Sequence, residues 1–288
     1  MARRDSLLAV LPPEARARLL SCGGQHAGAW LCCMPVIWRL RALPHLFYLA
    51  LAMRLGVSIL DLQPVRGVYP VCGACGAVHD ELGRHPSVCR HGNRSSLWTD
   101  RHDALQWAII WALRRARYAA ARAVGRTRLF GSAGVTTTGG YLFADLWVPN
   151  YRAPGRHLFA DVAITDPAVT TALSASPSSA HSAGVAAQLR AQRKRAKYGD
   201  AVTAVSGEFI AAVMERYGAC SDDLCRLAAI ACGDGDRELS EADDWYFTAP
   251  SRRSYFMQGV VFAGVMADAA MLDSAIALDH SDCGVRGG

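Results

Sequence analysis

Residues 141–165 read YLFADLWVPNYRAPGRHLFADVAIT, and their alternation decides the fold. Residues 141–148 and 157–165 each alternate with period two, and VPNYRAPGR between them carries turn residues, so the segment predicts a short hairpin. Pairing the two runs antiparallel about Ala153 puts Leu142, Ala144, Leu146 and Val148 on one face with Leu158, Ala160, Val162 and Ile164. A one-residue slip would invert that apolar face, which pins the register. Asp145 and Asp161 then stand opposite one another on the other face, with side chains about 5 Å apart.

Outside the hairpin the period becomes helical. Leu105, Ile109, Ala112, Leu113 and Ala116 form one face of a helix predicted over 103–123, with Arg114, Arg115, Arg117 and Arg122 mainly on its other faces. After the hairpin, the small-residue stretch 171–187 reads as a loop into a helix ending at KRAKYG, so the helix spans 187–198. A strand over 201–213 follows, then helices near 221–232 and 253–277. The N-terminal residues are helical with proline punctuation: Pro12-Pro13 starts one helix and 40–60 carries another. The organisation is a helical segment over 1–66, a Gly/Cys/His-rich segment over 67–95 and a sheet-bearing domain over 96–280. One antiparallel hairpin flanked by helices gives an α/β or α+β core.

Composition narrows the class. The 288 residues are 51% hydrophobic and 19% charged, which supports a sizeable core and excludes wholesale disorder. No continuous apolar run reaches the roughly 18 residues of a membrane span, and the N-terminus lacks the apolar core of a signal peptide. The expectation is a soluble intracellular protein with no membrane partner. Ten cysteines in such a chain argue against a disulfide framework. Residues 101–128 hold seven arginines against Asp103, matching the net charge of +6 of the whole chain. A concentrated excess suits an anionic polymer, and the plainer alternative is a solvated helix face. A second basic block comprises Arg190, Arg193, Lys194, Arg195 and Lys197, offset by an acidic stretch over 215–244. Of 31 basic residues only Lys194 and Lys197 are lysines. Coincidence is one reading; the other is a need for a compact ammonium that guanidinium cannot supply.

Two constellations carry chemistry. Cys72, Cys75, His85 and Cys89 form C-x2-C-x9-H-x3-C, a soft donor set with the spacing of a structural zinc knuckle. His79 and His91 are spare imidazoles, and chance clustering is the alternative. Such a site contributes on the order of 10 kcal/mol of folding energy to a segment without its own core. Asp145 and Asp161, as paired like charges, need a cation between them, and Mg2+ or Mn2+ held by one or two carboxylates and water fits. With Lys194 or Lys197 packed beside the hairpin, the parts suit hydrolysis of a phosphodiester. Two unrelated surface aspartates on a solvated face are the alternative. Asp234-Gly-Asp236-Arg-Glu238 lacks the residues of a calcium loop and reads as an exposed acidic turn. His102 is either a phosphate contact at a helix start or a polar cap.

In order along the chain, C-x2-C…H-x3-C, Arg101-His102-Asp103, Asp145, Asp161-Val-Ala-Ile and Lys194-x-x-Lys197-Tyr198 resemble the C-terminal region of non-LTR retrotransposon proteins, over roughly residues 15–275. That region carries a zinc knuckle and a restriction-like endonuclease related to the PD-(D/E)XK nucleases. The resemblance implies a restriction-endonuclease-like α/β core, a small mixed sheet with flanking helices, preceded by a helical segment and the knuckle. It makes Asp145 and Asp161 the ligands of a catalytic Mg or Mn, Lys194 or Lys197 the catalytic lysine and Tyr198 an accessory residue. Arg101-His102-Asp103 opens the first helix of the nuclease core, and Arg101, His102, Arg114, Arg115 and Arg190 are the nucleic-acid contacts. The chain departs from the pattern in two places: Ala144 stands where the PD signature has Pro, and Ala163 where it has Lys, so the lysine comes from the later helix. No YxDD-like turn is present, so no polymerase activity is expected. The implied activity is nicking of target DNA in the nucleus, with element RNA and a separate reverse transcriptase as further candidate partners. An inactive nucleic-acid-binding remnant is the competing expectation.

Overall fold

A computed structural model of the chain describes residues 2–33, 38–58, 71–80, 82–92, 94–123, 130–136, 140–168, 177–233 and 249–285. Its centre is a βαβ unit. Strand β3 (His157–Thr165) runs parallel to β4 (Gly207–Glu215), and α6 (Val185–Ala204) makes the crossover that a parallel pair requires. Ahead of β3, β1 (Ala121–Arg122) and β2 (Leu146–Val148) extend the sheet antiparallel, in the order β1-β2-β3-β4. The fold is mixed α/β with a small four-stranded mixed sheet.

Both faces of the sheet are covered. Leu146, Val148, Leu158, Ala160, Val162, Ile210, Ala212 and Met214 pack on one side against α5 (Arg94–Arg115), α7 (Asp222–Cys232) and α8 (Arg252–Val285). On the other side Phe159, Phe209, Ala211 and Val213 meet Ala187, Ala191, Tyr198, Ala201 and Val202 of α6. Burial on both faces explains why β4 reads as a continuous apolar run without alternation. Gly207 opens β4 where a Cβ would lie 2.7 Å from the Phe159 ring. The N-terminal helices α1 (Ala2–Val10), α2 (Pro13–Cys22) and α3 (Pro44–Leu55) precede the short α4 (Arg84–Val88). Pro13 and Pro44 each occupy a first-turn position, where a missing N–H costs nothing.

The predicted hairpin register holds: Leu146 faces Ala160, Trp147 faces Phe159 and Val148 faces Leu158. Its extent does not. Residues 141–144 leave the sheet, because Leu142 N–H donates to Gly134 O and Tyr198 Oη donates to Phe143 O. Ala144 and Leu142 accordingly pack on the α6 side, away from Leu146 and Val148.

Three helix boundaries also differ from the sequence expectation. Helix α5 begins at Arg94 and not at 103, so Arg101-His102-Asp103 lies inside the helix and does not open it. Its first turns are held by polar contacts that apolar periodicity cannot register: Trp98 Nε1 donates to Cys89 O at 3.2 Å, and Arg94 and Arg101 pair with α8. At the other end Arg117 takes φ +67, with Tyr118 N–H bonded to Leu113 O and Arg117 N–H to Arg114 O. That Schellman cap stops the helix well short of residue 123. Helix α6 continues past Gly199 to Ala204, since Tyr198, Ala201 and Val202 keep its buried stripe at helical spacing. The strand expected over 201–213 therefore starts six residues later.

Among the described residues one helix is long and apolar enough to cross a membrane by length and composition, residues Arg252–Asp279 of α8, which a search for a continuous apolar run does not register. Two thirds of its most apolar window is buried inside the protein, where α8 packs along α5 and touches α3, α4 and α7. It serves as the core helix of this fold. The expected acidic turn at 234–238, residues 171–176 of the loop expected over 171–187 and the boundary at residue 66 lie outside the described residues.

Three elements meet at a buried ionic hub. Asp268 of α8 is fully buried and pairs with Arg101 Nη1 of α5 at 2.7 Å and Arg216 Nε at 2.6 Å. Arg216, one residue past β4, also reaches Ser87 Oγ at 2.7 Å, Asp166 at 3.3 Å and Met53 Sδ at 3.0 Å. Replacing Asp268 by Ala leaves the buried Arg101 without its carboxylate and Arg216 with Asp166 alone. The expected loss is about 3–5 kcal/mol in urea unfolding, whereas Asp273→Ala, at a more exposed position on the same helix, leaves the midpoint nearly unchanged.

Candidate active site and metal centre

The hairpin register delivers the paired carboxylates. Asp145 sits one residue before β2, just outside the paired register that begins at Leu146 and Ala160, and its N–H donates to Ala160 O at 3.0 Å, next to Asp161 in β3. Asp161 lies on the α6 side of β3 and is buried, not on a solvated face. The two carboxyl groups lie close enough for each to shift the other's ionisation. Asp145 Oδ2 also accepts from Val162 N–H at 2.6 Å and faces His102 Nε2 at 3.0 Å, while Gln106 Nε2 donates to the Asp145 carbonyl.

Helix α6 supplies the cation. Lys194 Nζ donates to Asp161 Oδ2 and to Val162 O at 3.3 Å. Of the two lysines, this one completes the cluster. Lys197 is exposed and lies 5.0 Å over the Tyr198 ring. Tyr198 is buried, stacked on Phe209, and its hydroxyl is committed to Phe143 O at 2.6 Å. It therefore supports the backbone entering Asp145.

The two aspartates are electrostatically split. Burial pushes Asp161 up to about 7, its neighbouring carboxylate adds to the rise, and Lys194 opposes it. Burial acts upward on Asp145 too, but the His102 hydrogen bond and charge and the Val162 N–H outweigh it and hold Asp145 at about 2. The Asp145 hydrogen bond in turn raises His102, against burial. Two carboxylates in contact cannot both be ionised without a proton or a cation between them. Lys194 brings one such charge to Asp161; a hard divalent ion is the chemical alternative for the same oxygens.

His102 is not a helix cap: it faces Asp145 from within α5, with its side chain 32% exposed. Its Nδ1 stands 3.3 Å from Asp103, which takes a bidentate pair of 2.8 and 2.9 Å from Arg122 at the sheet edge. Gln106 and Arg122 have no motif that marks them as site residues; only the packing of α5 on the sheet brings them there.

Among the expected nucleic-acid contacts, Arg101 is excluded by its burial against Asp268 and Trp98. Arg114, Arg115 and Arg190 are exposed. Arg114 Nε donates to Ala120 O, Arg115 lies 5.4 Å over the Trp111 ring, and Arg190 precedes Lys194 by one turn of α6.

The second site forms as its spacing predicts. One ligand atom from each of Cys72, Cys75, His85 and Cys89 lies within 4.8 Å of the others. The Cys72–Cys89 and Cys75–Cys89 sulfur separations are 3.8 and 3.9 Å, and Cys75 Sγ to His85 Nε2 is 3.2 Å. A tetrahedral zinc with Zn–S near 2.3 Å has ligand edges of about 3.8 Å, so the donor set fits such a metal. The first thiolates flank a tight turn closed by Cys72 N–H to Ala77 O and Gly76 N–H to Cys72 O. The Asp80 carboxylate accepts the N–H groups of Leu82, Arg84 and His85 and so presents the imidazole. Burial lowers His85, favouring the neutral ligating form. Of the spare imidazoles, His79 is turned to Asp279.

The purified protein is expected to carry one zinc per chain by elemental analysis. Cys75→Ser and Cys89→Ser should lose it, and Cys22→Ser should keep it. No protein-family model matches this chain, and no curated protein matches it significantly.

Proposed function

We propose that the chain is a metal-dependent endonuclease that hydrolyses phosphodiester bonds of DNA, built on a restriction-like core and similar in role to the nuclease region of non-LTR retrotransposon proteins. The observation that carries this reading is the reach of Lys194: the ammonium comes from the crossover helix, not from the position two residues after Asp161, and still meets the carboxylate pair. Two acidic groups and one lysine held together at the interior strands of a small mixed sheet are the parts this chemistry needs.

Asp145 and Asp161 would hold Mg2+ or Mn2+, which when bound lowers the pKa of a water and offsets phosphate charge. The chain's own groups account for the rest. His102 and the Val162 N–H keep Asp145 ionised and oriented. Lys194 bridges Asp161 and the Val162 carbonyl, where its charge can orient the attacking water or meet the developing charge on the phosphate. Arg190, Arg114 and Arg115 are exposed cations for backbone phosphates, a contribution that weakens steeply with salt. On this reading the working partner is nuclear DNA, with element RNA and a separately encoded reverse transcriptase as associates in integration.

Relaxation of supercoiled plasmid in Mg2+ or Mn2+, against EDTA, tests the proposal. Wild type should nick only with the metal. Asp145→Asn and Asp161→Asn should abolish nicking while retaining DNA affinity. Lys194→Met should lower the rate by about 10²–10³, and Lys197→Met should leave it unchanged. Salt-sensitive DNA binding with no cleavage in either metal favours the inactive remnant.

A further inference from the structure

Asp279 lies on α8, far along the chain from the Cys/His cluster, yet its carboxylate is almost fully buried against it. Three donors converge on it. Gly73 N–H, between the ligands Cys72 and Cys75, donates to Oδ1 at 2.7 Å. His79 Nε2, in the segment between Cys75 and His85, meets Oδ2 at 2.9 Å, and its ring stands 5.5 Å from that of His85. Arg94, which opens α5 five residues after Cys89, pairs with Oδ1 and also donates to Ala275 O of α8 at 3.3 Å.

The donors thus come from the loop that carries the first two thiolates, from the chain between the thiolates and the imidazole, and from the helix that follows the last thiolate. The segment's other tertiary bonds, Arg216 to Ser87 and Gly83 O, Arg84 to Ala168 O and Trp98 to Cys89 O, fall on residues 83–89 and not on the loop of the first two thiolates. Among the described residues of the segment the buried side chains are Cys72, His79, Ser87 and Cys89, which are ligands or polar groups and make no apolar core to keep its shape without the metal. Loosening it would strip the buried Asp279 carboxylate of two donors and leave it with Arg94 alone, a costly state for a charge out of water.

We propose that Asp279 is the supporting residue of the Cys3His metal site, and that through it metal binding and the docking of the last turns of α8 are one coupled equilibrium. Coupling of this kind is reciprocal: metal tightens the helix, and the docked helix tightens the metal. Supporting residues of this sort change metal affinity without changing the ligand set. The proposal rests on occupancy of the cluster by a thiolate-seeking metal and is independent of the nuclease reading.

Co2+ serves as the probe, through its thiolate charge-transfer and d–d absorption, with affinity measured against a competing chelator. Asp279→Asn should bind Co2+ with the wild-type spectrum but about 10–100-fold more weakly. Hydrogen exchange supplies the other arm. Chelation of wild type should accelerate exchange in residues 269–279 at least about tenfold while residues 256–266 keep their protection. In Asp279→Asn the distal segment should exchange fast with or without metal. If that variant does not fold, His79→Gln, which removes one donor and leaves Gly73 and Arg94 in place, should give an intermediate loss of affinity with the same spectrum. Equal affinities of wild type and a folded variant, unchanged exchange in residues 269–279 after chelation, or a wild-type protein that binds no Co2+ would each overturn the proposal.

Discussion

A carboxylate with no access to water must be surrounded by donors, and Asp268 meets that demand with Arg101 and Arg216. The requirement organises much of the molecule. Arg101 fixes α5 against α8, and Arg216 ties the end of β4 to the same point. Arg216 also reaches Ser87 in the Cys/His segment and Met53 in the N-terminal helices. A hydrophobic core is tolerant of sliding; a buried ion pair is not, because a displacement of an ångström or two leaves a charge unmatched. The hub therefore sets the register of α5 along α8, and the Arg94–Asp279 pair repeats the constraint near the far end of α8.

That register has a chemical consequence. His102 follows Arg101 directly on α5, so the placement that satisfies Asp268 also aims the His102 imidazole at Asp145. The carboxylate pair is thus approached from two sides of the sheet. On one, α5 brings His102, with Asp103 and Arg122 behind it. On the other, the crossover helix α6 brings Lys194 to Asp161. Neither helix neighbours the hairpin in sequence. The opposed environments of the two aspartates, one held ionised by His102 and one raised by burial, follow from this two-sided construction.

Much of the scaffold was legible in the chain. Alternation at Leu146, Val148, Leu158, Ala160 and Val162 yields the hairpin register, because a one-residue slip would put the apolar residues of the two strands on opposite faces. The spacing of Cys72, Cys75, His85 and Cys89 yields the metal cluster, because short loops place four soft donors together whatever surrounds them. Less legible were the ends of elements. The first turns of α5 are mostly exposed and anchored by Arg94 and Trp98 without an apolar stripe, so a search for apolar periodicity begins the helix too late. The extension of α6 through Gly199 depends on Tyr198, Ala201 and Val202 meeting Phe209, a contact that exists only once β4 is in place. Arg101 illustrates the same limit. In the sequence it belongs to a basic cluster suited to phosphate; in the fold its charge is spent on Asp268.

The sequence by itself determined what is local: the hairpin and its register, the Cys3His spacing, the helical faces and the pairing of Asp145 with Asp161. These depend on periodicities and loop lengths of a few residues, which the chain carries explicitly. Tertiary structure alone decided which lysine meets the pair, that His102 faces Asp145, that Arg101 is interior, and that Asp279 closes over the Cys/His loop. Each of these joins residues far apart in the chain. Their partners are chosen by the requirement that buried charges and donors be matched, and that requirement can be evaluated only when the helices have packed on the sheet.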